Sequence, residues 1–294
     1  MKRLSSLILM FFFLFGTTSN AQRFDDVTIE TVKVSDHVYM LLGAGGNIGV
    51  SVGYDGVFII DNQFAPLTKK IQTAIKELSD QPIKILVNTH HHGDHTGGNE
   101  NMQKLGATII AHDNVRHRLE TISKRDGSSE AKAALPIITF NDELNLHING
   151  EKIAVFHVDH AHTDGDALLY FTKSNVLHTG DTYFKGRYPF IDLKSGGSVN
   201  GYINAVKTGL GHINNDTKVI PGHGSLSNKE EYQSFLVMLE DLKSIISAEI
   251  KAGKTEEDVT KNETLTKNYD ALGYGTGFIN SENIRRTFYA SLKE

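Results

Sequence analysis

The chain contains no cysteine in its 294 residues. That excludes disulfides and lipid attachment through an N-terminal cysteine, so the fold must be held by its own core and by any metal it binds. No run of basic residues occurs either, and the formal net charge is −5. Without Lys2 and Arg3 it is −7, because 28 basic residues then face 35 acidic ones. An acidic chain without a basic stripe is not expected to take nucleic acid as a partner. After residue 21 there is no apolar run long enough to span a membrane. Linkers, internal repeats and low-complexity tracts are also missing.

The N-terminus carries a different signal. Lys2 and Arg3 precede the apolar run Leu7 to Phe15, and Ser19 and Ala21 are small residues at the spacing a signal peptidase reads. Residues 1–21 are expected to be a secretory signal peptide, cut after Ala21. The apolar run is well short of the roughly 20 residues of a membrane anchor. The mature protein is therefore expected in the periplasm or secreted, with no membrane contact once the signal is removed. Residues 22–294 are expected to form one domain with a helical C-terminal extension, since about 270 residues can bury one large core.

Short apolar runs bounded by Gly, Asn and Asp alternate with amphipathic stretches. Strands are expected at Val38–Leu42, Ile48–Gly53, Val57–Asp61, Ile83–Asn88, Thr108–Ala111, Leu144–Ile148, Ile153–Val158, Ala167–Phe171, Val176–Thr179 and Lys218–Pro221. Asn149-Gly150 is a strong hairpin signal. Leu67, Ile71, Ala74, Ile75 and Leu78 share one face of a helix over Pro66–Leu78. Further helices are expected at Asn99–Leu105, Asn114–Lys124, Val199–His212, with Ser198 as its N-cap, Lys229–Ala252 and Ser281–Leu292. The class is α/β, with a pair of sheets covered by helices.

Chemistry concentrates directly after the strand at Ile83. The stretch from Thr89 to His95 reads His-x-His-x-Asp-His and supplies His90, His92, Asp94 and His95 as ligands. Imidazole with carboxylate suits zinc or another first-row transition metal. Four ligands are too many for a single catalytic ion that must leave a position open for water, so the loop suggests two metals. His162, Asp181 and His223 each follow a later strand on a Gly-containing turn. His91 sits between two ligands and is expected to point elsewhere, while His160 and His178 flank ligand turns.

These ordered motifs, closing with Thr-Gly-Asp at 179–181 and Pro-Gly-His-Gly at 221–224, resemble those of the metallo-β-lactamase superfamily. The resemblance covers roughly Thr28 to Ser227 and implies the αβ/βα four-layer sandwich with metals at one edge. It further implies a first metal on His90, His92 and His162, a second on Asp94, His95 and His223, and Asp181 bridging the two. Two zinc ions per chain are expected, with iron or manganese as alternatives. Asp61 matches the family's first motif, and its expected role is to hold a ligand imidazole from behind. The absence of cysteine departs from lactamases that place that residue on the second metal.

The implied activity is hydrolysis by a metal-bound hydroxide, with Asp94 orienting the attacking oxygen. The expected substrate is a small cyclic amide or ester, a β-lactam or lactone. A thioesterase resembling glyoxalase II, a sulfur dioxygenase-like iron enzyme and a non-enzymatic metal-binding protein remain alternatives. Tyr183, Lys185 and Arg187 follow Asp181 closely and are candidate substrate contacts, and the stretch from Tyr269 to Phe278 is a candidate pocket wall or a plain C-terminal loop. The oligomeric state is left open.

Overall fold

A computed structural model describes residues 24–126 and 134–293. The expected signal peptide and its cleavage point lie outside the described residues. Strands β1 (Glu30–Lys33), β2 (Val38–Leu42), β3 (Ile48–Gly53) and β4 (Gly56–Ile60) pair antiparallel in succession. Helix α1 (Thr68–Leu78) leads to β5 (Ile83–Val87), the short helices α2 (Gly93–Thr96) and α3 (Asn99–Lys104), then β6 (Thr108–His112), α4 (Asp113–Asp126) and β7 (Ile138–Phe140). From β4 to β7 the pairing is parallel, which completes a seven-stranded sheet in sequence order.

The second sheet begins with the hairpin of β8 (Glu143–Ile148) and β9 (Glu151–His157). Its two turn residues, Asn149 at φ 55° and Gly150 at φ 71°, both take the left-handed conformation that a tight hairpin of this twist requires. The chain continues through β10 (Ala167–Phe171), β11 (Val176–His178), α5 (Val199–His212), β12 (Lys218–Ile220) and β13 (Ser227–Asn228). The strand order is β13-β12-β11-β10-β9-β8. Helices α6 (Lys229–Lys251), α7 (Glu256–Lys261), α8 (Lys267–Asp270) and α9 (Ser281–Lys293) follow. The Ser198 side chain caps α5 by accepting from the Gly201 N–H at 3.0 Å.

Three apolar clusters give four layers. Val38, Met40, Phe58, Ile60 and Val87 of the first sheet meet Ile153, Val155, Leu169, Phe171 and Ile220 of the second. Phe58 and Phe171 touch edge to face across that interface, with centroids 5.9 Å apart. The other face of the first sheet packs on α1 through Leu86, Ile109, Ile71 and Ile75. The other face of the second sheet packs on α5, α6 and α9 through Leu168, Val219, Tyr202, Phe235 and Phe288. Each such side chain contributes roughly 1.5–3 kcal/mol of burial, so these interfaces fix how the two sheets face each other. This is the expected αβ/βα sandwich. Among the described residues no helix is long and apolar enough to cross a membrane.

Some elements are absent from the sequence reading. β1 is a mostly exposed edge strand with polar residues, and β7 and β13 hold three and two residues. They form because a neighbouring strand offers free backbone groups, not because of their own periodicity. The one-turn helix α2 lies inside the ligand motif itself.

Candidate metal centre

Parallel pairing puts the ends of β4 and β5 at one edge, and those of β9, β11 and β12 come to the same place from the second sheet. Asp61 ends β4, and His90 to His95 follow β5. His162, Asp181 and His223 follow β9, β11 and β12. His92 Nδ1 lies 3.1 Å from His90 Nε2 and 2.9 Å from His162 Nε2. Asp181 Oδ2 faces this group, 3.8 Å from His90 Nε2 and 3.6 Å from His162 Nε2. Its other oxygen faces a second group: Oδ1 lies 3.1 Å from His95 Nε2 and 3.4 Å from His223 Nε2. Asp94 Oδ2 joins that group, 3.3 Å from His223 Nε2 and 3.7 Å from His95 Nε2.

Each of these two groups has the donor set and spacing to hold a metal ion. Four ligands at zinc's usual bond lengths stand about 3.3 Å from one another around a tetrahedron, and the separations here bracket that value. A single proton between His92 Nδ1 and its neighbours satisfies one imidazole pair, never both. His95 Nε2 and Asp181 Oδ1 are buried without an aligned hydrogen bond although they face each other.

Ring orientation is set from behind. His95 Nδ1 donates to Asp61 Oδ2 at 2.7 Å, and His162 Nδ1 donates to the Phe190 carbonyl at 2.7 Å. The Thr89 hydroxyl donates to Asp61 Oδ2 at 2.8 Å, so its oxygen is free to accept from His90 Nδ1 at 3.1 Å. His92 Nε2 donates to Asp192 Oδ2 at 3.1 Å. In each case the outer nitrogen holds a proton, so the inner one is the atom left to offer a lone pair to a cation. Glycine at 222 is needed for this approach, since a Cβ there would come within 2.1 Å of Asp181 Oδ1. The Tyr202 hydroxyl donates to the Asp181 carbonyl at 2.7 Å and steadies that residue between the two groups.

The electrostatics divide the centre. Burial, with the neighbouring His95 and His162, holds His90 well below the usual histidine pKa, and burial pushes His162 down to about 4. Both therefore stay neutral, as ligands must. Burial opposes charge on the other side too, but there the carboxylates prevail. Asp181, Asp94 and Asp61 lift His95 well above its usual range, and Asp181 and Asp94 raise His223 to about 9. Burial would raise Asp181, yet His95 and His223 hold it well below the ordinary carboxylate range. The second group is thus an anionic pocket in which positive charge is strongly favoured.

Beside the metal ligands lies a cavity of about 500 Å³, lined by Asp94, Asp181 and His223 and by the apolar Phe64, Phe184 and Phe190. Arg187, Tyr188, Phe278 and Ile279 also line it. Arg187 meets it as an exposed guanidinium with no ion pair among the described residues. Two expected contacts need correction. Tyr183 is buried in the core, its hydroxyl paired with Ser227 Oγ at 3.0 Å. Lys185 Nζ donates to Glu231 Oε2 and to the Leu226 carbonyl, both at 2.8 Å. Neither borders the cavity, because both are drawn towards the strand and helix that follow His223.

Of the remaining histidines, His91 falls with His92 and Asp192 in a third group whose ligand atoms lie within 4.8 Å of one another, whereas His160 and His178 join no such group among the described residues. The His91 ring lies against His92 at 4.6 Å and burial takes its pKa down to about 3. His178 Nε2 pairs with the Asn47 carbonyl at 3.2 Å, and His160 Nδ1 with that of Gly196 at 2.7 Å. Asp192 and Tyr202 carry no motif that marks them in the sequence. The only sequence trace of Asp192 is a carboxylate three residues before Ser195, whose N–H it accepts.

A sandwich of two sheets with histidine and aspartate clusters at its shared edge describes a class of metal-binding proteins. The profile of the metallo-beta-lactamase superfamily matches residues 49–235. The chain belongs to that superfamily. It is 33% identical over 113 residues to hydroxyacylglutathione hydrolase of Pelagibacter ubique, which covers 37% of this chain and 41% of that protein. With hydroxyacylglutathione hydrolase GloC of Haemophilus influenzae it shares 30% identity over 157 residues, 51% of this chain and 73% of that one. The metallo-beta-lactamase structure from Pontibacter korlensis superposes with a TM-score of 0.61 at 19% identity, covering 72% of this chain and 99% of the other.

Proposed function

We propose that the chain is an exported dinuclear zinc hydrolase that opens a small cyclic amide or ester, a β-lactam or a lactone. The observation that carries this reading is the division of Asp181, one oxygen towards each histidine group, directly beside an open cavity. Bound zinc would supply a water of pKa lowered from about 16 towards 7 and a Lewis acid for the carbonyl oxygen. The side chains supply the rest. Asp94, partly exposed at the cavity, can accept a hydrogen bond from the attacking water and orient it. Arg187 can hold a substrate carboxylate as a charge-assisted pair. Phe64 and Phe184 exclude bulk water around the reacting group.

The likeness to hydroxyacylglutathione hydrolases favours a second reading, a thioesterase. The cavity argues against it: a glutathione thioester brings two carboxylates and an ammonium, whereas the lining is largely aromatic with Arg187 as its one side-chain cation besides histidine. The N-terminal sequence, read as a signal peptide, also supports cyclic substrates met outside the cytoplasm. The test is metal analysis with a panel of β-lactams, lactones and thioesters. Two zinc ions per chain, ring opening and its loss with a chelator support the proposal. One iron per chain with consumption of dioxygen when a persulfide is supplied as substrate would overturn it, and thioester turnover alone would favour the second reading.

A further inference from the structure

The segment between α8 and α9, residues 271–280, lies beyond the part of the chain that matches the superfamily, yet it reaches the metal centre. It contributes Phe278 and Ile279 to the cavity. Phe278 is 80% exposed, which is unusual for so large an apolar side chain. Its ring meets Phe190 edge-on at 5.7 Å, and Phe190 stacks on the ligand His92 at 5.7 Å. A continuous aromatic track therefore runs from the metal ligands outward to this segment.

The segment is pinned in place. The Asp270 carboxylate accepts from Tyr188 at 2.7 Å, Thr266 at 2.8 Å and Ser281 at 2.5 Å, so one side chain ties both ends of the loop together. The Tyr188 N–H also donates to the Tyr274 carbonyl at 3.3 Å. Gly277 lies against the aliphatic stem of Arg187, where a Cβ would come within 3.0 Å of Arg187 Cδ. The strap thus supports the cavity's guanidinium and presents an uncovered aromatic ring beside it.

We infer that residues 271–280 form a recognition subsite in which Phe278, Phe190 and Ile279 receive an apolar, aromatic substituent of a substrate whose carboxylate pairs with Arg187. This rests on the hydrolase reading above and narrows its substrate class to aryl-bearing monocarboxylates. A polar substituent would gain nothing from the aromatic track, and one without a carboxylate would leave Arg187 in water. Asp270 acts as a positioning residue by holding the strap closed.

The test uses the zinc-loaded mature protein and two β-lactams that share the ring carboxylate but carry a phenylacetyl or an acetyl side group. Phe278→Ala should raise KM for the phenylacetyl compound about tenfold, leave kcat alone and change the acetyl compound less than about twofold. Its melting temperature should match that of the parent, because the ring is exposed. Equal effects on both compounds, or none, would overturn the subsite. Binding of phenylacetate and acetate, measured by ligand-observed NMR on the same proteins, needs no turnover. Selective loss of phenylacetate binding in Phe278→Ala, with no lactam opened, sustains the subsite and rejects the lactamase reading. Unchanged phenylacetate binding rejects the subsite whatever the activity.

Discussion

Substituting Asp61 by Asn isolates the device that orients His95. The Asp61 carboxylate is fully buried and accepts three hydrogen bonds, from the Thr89 N–H and hydroxyl at 2.8 Å and from His95 Nδ1 at 2.7 Å. Asparagine has the same shape and tolerates the residue's positive φ of 63°, so the backbone has no reason to move. It offers one accepting oxygen, however, and two N–H donors. If the oxygen keeps the Thr89 N–H, the amide nitrogen confronts the Thr89 hydroxyl and His95 Nδ1. The hydroxyl can rotate, but His95 must give up its Nδ1 proton and carry it on Nε2, the atom that faces Asp181. That tautomer cannot ligate a metal. Removing such an outer partner typically costs 10- to 100-fold in metal affinity, roughly 1.4–2.7 kcal/mol. Losing one charge-assisted hydrogen bond should lower the stability of the metal-free protein by about 1.5–3 kcal/mol. Zinc titration against a chelating indicator, resolving two dissociation constants, reads the outcome. The second constant should rise 10- to 100-fold while the first changes less than about threefold. Two unchanged constants, or two raised equally, would refute the assignment of Asp61 to His95.

His92→Ala should remove the first metal and reduce hydrolysis to background, whereas His91→Ala should keep most activity and both metals, as checked by metal analysis and rate measurements. Asp192→Ala leaves the His92 ring without its outer acceptor and should weaken the first metal about tenfold, with the second unaffected in the same titration. For Asp270, burial acts to raise the pKa, but hydrogen bonds from Ser281, Tyr188 and Thr266 outweigh it and hold the folded value below the ordinary one. Stability from this group is therefore present above the unfolded pKa of about 3.9 and disappears as pH falls through the folded value. Between pH 5 and 3 the parent should lose more thermal stability than Asp270→Asn, and parallel melting curves would reject that linkage.

The clustering of the candidate ligands was legible because each sits on a short Gly-bearing turn after an apolar strand, so local sequence carries both the residue and its placement. Central strands such as β3 and β10 were legible for the same reason, being short apolar runs framed by turn residues. Asp192 was not, because its role depends on the His92 ring turning outward, a tertiary event 100 residues away in the chain. Tyr183 and Lys185 misled by proximity. Two and four residues after Asp181 they are already beyond the short 3₁₀ turn Gly180–Thr182 that carries it, with Tyr183 directed into the α6 core and Lys185 captured by Glu231. The polar edge strand β1 takes its structure from β2, and no pattern in four mostly exposed residues announces that.

Each candidate cation position draws ligands from both sheets: His90 and His92 with His162 and Asp181, and Asp94 and His95 with His223 and Asp181. A metal held there is a rivet between the two halves of the sandwich. Binding free energy at the edge becomes docking free energy between the sheets, so removal of metal should loosen the interface around Phe58 and Phe171 as well as silence the site. In a chain without cysteine, metal bound at this edge would stand in for the covalent cross-links it lacks.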